Sequence, residues 1–299
     1  MNIRSIKNRA DELLVYCKPQ FVRVLTIMML ISLIPSLFTG SGTLASIISL
    51  VISFVFLPFS HGYIVSSLKV VLNNYSSLKD EDAWVGFSRY KDLFSTYFIV
   101  GLITFGILFV LIFIMIFVFA MIFGSIFASL SYVSTDSLAQ LFLAYPIVLF
   151  ALLLMFIIIG IVAYVLSIYF FAAPFLLEQY HLKDMAAVKE SIQFINGHIF
   201  DLFKLDLSYI GWFILIGVIE VVLTSLLDFI PVIGTLIASI VSGFVGIYTF
   251  MPQYRLTRAI FFEEIAYRRY GAQYDQSQQY QEEPMDQYMN DSDQDIQGE

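Results

Sequence analysis

Leu93–Phe127 reads LFSTYFIVGLITFGILFVLIFIMIFVFAMIFGSIF, without one Asp, Glu, Lys, Arg or His. About 20 apolar residues suffice for a helix to cross the roughly 30 Å of bilayer hydrocarbon, so this run decides the fold class and overshoots it. Leu141–Leu177 is as apolar and as long. Both must tilt, project or break, with Gly124 and Pro146 as the expected break points. Outward from this pair, apolar runs place a first span at Phe21–Phe38 and a second at Thr43–Leu68, interrupted at Pro58. A fifth lies at Leu205–Phe229 and a sixth at Ile233–Met251. With 59% hydrophobic and 13% charged residues and a mean hydropathy of +0.82, the chain cannot build a water-facing surface.

The charges orient these spans. All 16 Lys and Arg residues fall in four clusters: Arg4 to Arg23, Lys69 to Lys91, Lys183 to Lys204, and Arg255 to Arg269. The intervening outer turns, Thr39–Gly42, Ala128–Ser137 and Asp228–Gly234, hold none. Basic residues are retained on the cytoplasmic side, which predicts an all-α integral membrane protein of six transmembrane helices in three hairpins, both termini cytoplasmic. The first run is too long for a signal-peptide core and has no small-residue cleavage site after it, so it reads as an uncleaved span. Thr135-Asp136-Ser137 before Leu138 reads as the cap of a short outer helix. The single cysteine, Cys17, excludes an intramolecular disulfide.

Three regions follow. Residues 1–20 form an amphipathic helix, with Ile6, Ala10, Leu13, Leu14 and Cys17 opposite Lys7, Asp11 and Glu12. Residues 21–272 form the membrane domain. Residues 273–299 carry eight acidic and no basic residues and read as a disordered, acidic, Gln-rich tail. Each hairpin is preceded by an amphipathic segment and each outgoing helix ends near a proline: Pro58, Pro174, Pro252. Entry points match as well, in Lys18-Pro-Gln-Phe21, Lys91-Asp-Leu-Phe94 and Gly197-His-Ile-Phe200. This is a parallel repeat, with amphipathic elbows on the cytoplasmic side. In the third elbow Met185, Val188, Ile192, Ile195, Ile199 and Leu202 keep helical spacing, with Lys189, Glu190, Gln193 and Asn196 opposite.

Gly197–Trp212, GHIFDLFKLDLSYIGW, resembles the signature of a bacterial integral membrane family catalogued as domain of unknown function 975. Ile6-Lys-Asn-Arg-Ala10 followed by Leu13-Leu14 resembles that family's opening helix. The resemblance implies a multi-span plasma-membrane protein, most often of Gram-positive bacteria, and brings no activity or catalytic residues. The long second hairpin, Glu220 and the tail depart from the pattern.

Glu220 is the sharpest candidate. Fifteen residues beyond Leu205, it lies about 22 Å along a helix, past the bilayer centre. A charged side chain there costs roughly 2.5–3.5 kcal/mol by insertion scales. Thr224 and Asp228 share its face, so the three define either a polar path or a protonated Glu bonded to a neighbouring hydroxyl. Gly234, Ala238, Ser242 and Gly246, at four-residue spacing, form a helix-packing face. Lys204, Asp206, Tyr209 and Trp212 form an interface anchor, with Lys204 and Asp206 ordering the elbow.

Glu263-Glu264-Ile-Ala-Tyr-Arg268 and Phe194-Ile-Asn-Gly-His198 imitate motifs of CAAX-type intramembrane metalloproteases, but in reversed order and without a third histidine motif. No catalytic, metal or cofactor constellation is read, and no nucleic-acid partner is expected. The expected function is that of a non-enzymatic scaffold or accessory subunit, acting through lipid or through a protein docked on residues 273–299. The alternative is a transporter or lipid translocator with its path near Glu220.

Overall fold

The computed structural model describes residues 1–35, 43–130, 146–227, 229–230 and 233–279, and side chains over 1–35, 47–124, 146–227, 229–230 and 233–271. Among these residues the chain is helical and has no strand. Four helices are long and apolar enough to cross a membrane, or up to six if each of two bent helix pairs counts as one span. The Thr39–Gly42 turn, the Thr135 cap and Asp228 lie outside the described residues.

Helix α1 runs unbroken over Ile3–Ser32, so the amphipathic segment at 1–20 and the start of the span at 21–38 share one helix; residues 36–38 lie outside the described part. Asn2 caps it, its side chain accepting from the Arg4 and Ser5 amides. Pro19 lies inside this helix, although proline removes one helical hydrogen bond and crowds the carbonyl four residues back. That carbonyl belongs to Val15, on the exposed side of the helix, where water can satisfy it, and the helix continues. The predicted stripe Ile6, Ala10, Leu13, Leu14 and Cys17 is buried in full, mainly against the C-terminal helix.

Helix α2 (Thr43–Phe56) passes through a 3₁₀ turn at Leu57–His61 into α3 (Gly62–Val71), so Pro58 interrupts the span as expected. Two 3₁₀ turns and the short α4 (Val85–Ser88) follow. Lys69 Nζ ties this connection to α3, donating to Asp82 Oδ1 at 2.7 Å and to the Ser77 carbonyl at 2.9 Å. Gly86 packs backbone to backbone on the Pro58 turn; a Cβ there would stand 2.4 Å from Phe59 Cα.

Helix α5 spans Tyr90–Leu130, 41 residues, or about 60 Å at 1.5 Å per residue. It runs straight through Gly124, contrary to the expected break. A helical glycine costs only about 1 kcal/mol relative to alanine and leaves the hydrogen-bond ladder intact. The other expected break point is the first described residue of the next helix, α6 (Pro146–Tyr169). After a turn, α7 (Ala173–Tyr180) completes this arm. Buried Ser191 satisfies the turn, accepting from the Ala172 amide and donating to the Tyr169 carbonyl.

The third elbow is two helices, α8 (Asp184–Ile195) and α9 (Ile199–Leu207), rather than one. Gly197 sits between them at φ +87°, a left-handed conformation that glycine adopts without strain. The break turns the buried face of α8 to Ala187, Val188, Ser191, Phe194 and Ile195, leaving Met185 and Ile192 of the predicted stripe exposed. Helix α10 (Ile210–Leu226) leaves α9 at 48°, and α11 (Ile233–Thr249) meets α12 (Met251–Gln279) at 60°. The α12 backbone carries residues 273–279 of the acidic segment; residues 280–299 lie outside the described part.

The core lies at the basic end of the bundle. Phe21, Leu25, Val70, Leu176, Phe194, Leu202, Leu256, Phe261 and Phe262 form one buried cluster. The long helices project from it with apolar side chains outward, such as Phe109, Phe113 and Phe117 on α5 and Phe150 and Phe156 on α6.

Candidate functional site

Among the described residues Ser239 Oγ of α11 donates to Glu220 Oε1 at 2.9 Å. Glu220, Val221, Thr224 and Ser225 of α10 line a recess of about 440 Å³. Glu220 and Thr224 thus share a face, as their spacing predicts. The arrangement joins two helices by a hydrogen bond in an apolar setting.

The small-residue face is buried along its length: Gly234, Ala238, Ser242 and Gly246, joined by Ile247, are the buried residues of α11. Its packing extends to residues outside the stripe. A Cβ on Gly243 would meet Met29 Sδ of α1 at 2.3 Å, and one on Gly234 the Leu227 carbonyl oxygen at 2.3 Å. Close backbone approach is what small residues permit.

At the foot of α10 the expected pairing differs. Lys204 is exposed, and the partners of buried Asp206 come from other helices: the Tyr164 hydroxyl donates to its Oδ2 at 3.1 Å, and Arg258 Nε lies 3.6 Å from Oδ1. Two residues along an α-helix is about 200° of rotation, so while Lys204 faces outward the Asp206 carboxylate faces inward to α6 and α12. Tyr209 is buried; its hydroxyl donates to Gln253 Oε1 at 3.0 Å, and the Lys7 ammonium sits 4.0 Å from its ring centroid. Trp212 stacks on Phe250 with an interplanar angle of 11°.

A polar cluster built around a buried histidine is one that the sequence reading did not assemble. His61, fully buried, bonds Tyr97 through Nδ1 and Glu178 through Nε2, each at 2.9 Å. Arg89 NH1 donates to both Glu178 oxygens, at 3.1 and 2.8 Å. A carboxylate held by a guanidinium only accepts. The Nε2 of His61 therefore carries the hydrogen, which leaves Nδ1 to accept from the Tyr97 hydroxyl if the ring is neutral. The cluster joins the turn after α2 to α5 and α7. One signal was available: His61 follows Pro58, and Glu178 follows Pro174, by about one helical turn.

Glu263 and His198, from the motifs that imitate a protease, do not meet. Glu263 pairs with Arg9 at 2.8 Å, and His198 Nδ1 with Asp201 at 3.5 Å. Burial raises the Glu263 carboxyl above its ordinary range despite Arg9. Burial alone would also raise Asp201, but His198 and the terminal amino group of Met1 outweigh it and hold that carboxyl low. Among the described residues no three His, Cys, Asp or Glu side chains come close enough to share a metal ion.

A family model described as "Protein of unknown function (DUF975)" matches residues 1–269, and the chain belongs to that family. No curated protein and no solved structure matches the chain.

Proposed function

We propose that this DUF975 protein is a non-enzymatic scaffold or accessory subunit of a bacterial, Gram-positive plasma membrane. In this reading it has six spans in three hairpins with both termini cytoplasmic. The orientation rests on the placement of every Lys and Arg toward one end of the bundle. The observation that carries the scaffold reading is the seating of α12. Leu256, Ala259, Ile260, Phe261, Phe262, Ile265 and Ala266 are all buried, mainly against α1 and α3, and Arg9 fixes Glu263 from α1. A helix held this firmly sets the starting point and direction of the acidic segment that follows it. Tyr274, Tyr280 and Tyr288 lie within that segment, among carboxylates that favour a basic partner surface.

The test is co-purification from native membranes after mild cross-linking, comparing the full chain with one ending at Gly271. Loss of a stoichiometric partner on truncation is the expected result. An unchanged set of partners overturns the docking role.

A second reading, transport or lipid translocation near Glu220, draws on the recess beside it and on the bond to Ser239. Glu220→Gln keeps an acceptor for Ser239 and removes the titratable proton. A flux in proteoliposomes that this change abolishes supports translocation, and a flux indifferent to it sinks that path.

A further inference from the structure

The outgoing helix of each hairpin carries a proline, and about one helical turn later a polar residue: Pro58 and His61, Pro174 and Glu178, Pro252 and Arg255. His61 and Glu178 satisfy each other. Arg255 has no such counterpart. Among the described residues it enters no ion pair, its Nε is sealed from solvent without a hydrogen-bond partner, and its guanidinium lies over the Tyr63 ring at 4.3 Å. One turn on, Arg258 lies over Phe171 and 3.6 Å from Asp206 Oδ1, beyond hydrogen-bond length. Arg258 thus has a carboxylate beside it while Arg255 does not, and the positive charge of Arg255 is left over in a largely buried place, where an unpaired cation is costly.

Both arginines line a cavity of about 250 Å³, with Ser60, Tyr63, Ser67 and Tyr97 among its other walls. The Ser67 hydroxyl is likewise buried without a partner. The unused donors of this region are therefore two guanidinium groups and a hydroxyl. Planar guanidinium forks match the oxygen geometry of phosphate and are weakly hydrated enough to be held in such a place.

The cavity does not stand alone. A second recess of about 270 Å³ lies between α5 and α6, lined by Val100, Thr104 and Ala163 and mostly apolar. The two share Tyr97, Ser167, Phe170 and Pro174. A cationic end adjoining an apolar end that opens between two long lipid-facing helices has the polarity of an amphiphile.

We propose that the Arg255–Arg258 cavity binds the phosphate of an anionic phospholipid, with one hydrocarbon chain of that lipid in the recess between α5 and α6. The surplus positive charge favours a net-anionic headgroup over a zwitterionic one. The site is separate from the segment beyond α12 and from the Glu220 recess, so its occupancy does not depend on either functional reading.

The test is the melting temperature of the full chain, delipidated in mild detergent and titrated with phosphatidylglycerol, phosphatidylcholine or inorganic phosphate. A site that binds the folded state alone stabilises it by mass action, so phosphatidylglycerol at saturation should raise melting by roughly 5–10 °C. Phosphatidylcholine and inorganic phosphate should do much less. Arg255→Gln should weaken the phosphatidylglycerol response about tenfold or more in concentration, while Arg268→Gln, an exposed charge on the same helix, should leave it unchanged. Should Arg255→Gln fail to fold, Arg255→Lys keeps the charge and loses the fork, and Ala163→Phe blocks the chain recess; each should weaken the lipid response. Equal stabilisation by phosphatidylcholine overturns the proposal, as does a full response in the Arg255 and Ala163 variants. Stabilisation by inorganic phosphate alone equal to that by lipid would show an anion site without a lipid chain, and overturns the lipid assignment.

Discussion

Removal of the Glu178 carboxylate isolates a buried group, and the cost can be worked from what each partner loses. His61 has no exposed surface, so its Nε2–H would lose its acceptor where water cannot replace it, at about 1–3 kcal/mol. Arg89 keeps 39% of its side-chain surface and can turn to solvent, so its share is that of a surface pair, about 0–1 kcal/mol. The lost side-chain methylenes, partly buried, add roughly 1 kcal/mol. Glu178→Ala should therefore cost about 2–5 kcal/mol. Arg89→Ala should cost only about 1 kcal/mol, because Glu178 still accepts from His61. At roughly 2–4 °C per kcal/mol for a chain of this size, the first change should lower melting by roughly 4–20 °C and the second by roughly 2–4 °C. Glu178→Gln retains an acceptor for His61 and should fall between them.

The assay is scanning fluorimetry in one mild detergent at one scan rate, since unfolding of such proteins is commonly irreversible. Size-exclusion profiles taken beforehand confirm that each variant is monodisperse. The ranking decides the matter. If Arg89→Ala costs as much as Glu178→Ala, the exposed ion pair rather than the buried histidine dominates, and the burial argument is wrong.

Gly86→Ala should cost about 1–3 kcal/mol, because its Cβ would meet backbone atoms of Pro58 and Phe59; Gly106→Ala, with nothing within 4 Å, should be neutral or slightly stabilising in the same melt. Cys17 is buried, so a maleimide should label the folded protein slowly and the denatured protein fully; rapid labelling of the fold would contradict the packing of α1. Asp201 is held below its usual range by His198 and the Met1 amino group. Its contribution to stability is thus present above the unfolded value near 3.9 and lost as pH falls through the lower folded value. Wild type should lose melting temperature more steeply below about pH 4 than Asp201→Asn does, and parallel profiles would remove this carboxyl from the acid response.

What could be read from the sequence was local and periodic. The α5 and α6 arms announce themselves through composition, because a lipid-facing helix has no use for charge. The α1 stripe and the Gly234–Gly246 face follow from one period, 3.6 residues per turn, and both are buried as spaced. The reading went astray where one residue overrides the period. Gly197 broke a stripe that seemed continuous, turning α8 by enough to exchange Met185 and Ile192 for Ala187 and Phe194. The polar centre was out of reach for another reason. His61 and Glu178 are 117 residues apart and Arg89 and Glu178 are 89 apart, and no local pattern encodes such a pair. The prolines offered a partial route, since each stands where a long apolar helix gives way to the next helix. The residue one turn later then lies near the helices packed around it, and it has to be satisfied there. Two of the three satisfy each other. The third, Arg255, still has a donor to spare beside a cavity, and for that reason the first ligand to try is an anion.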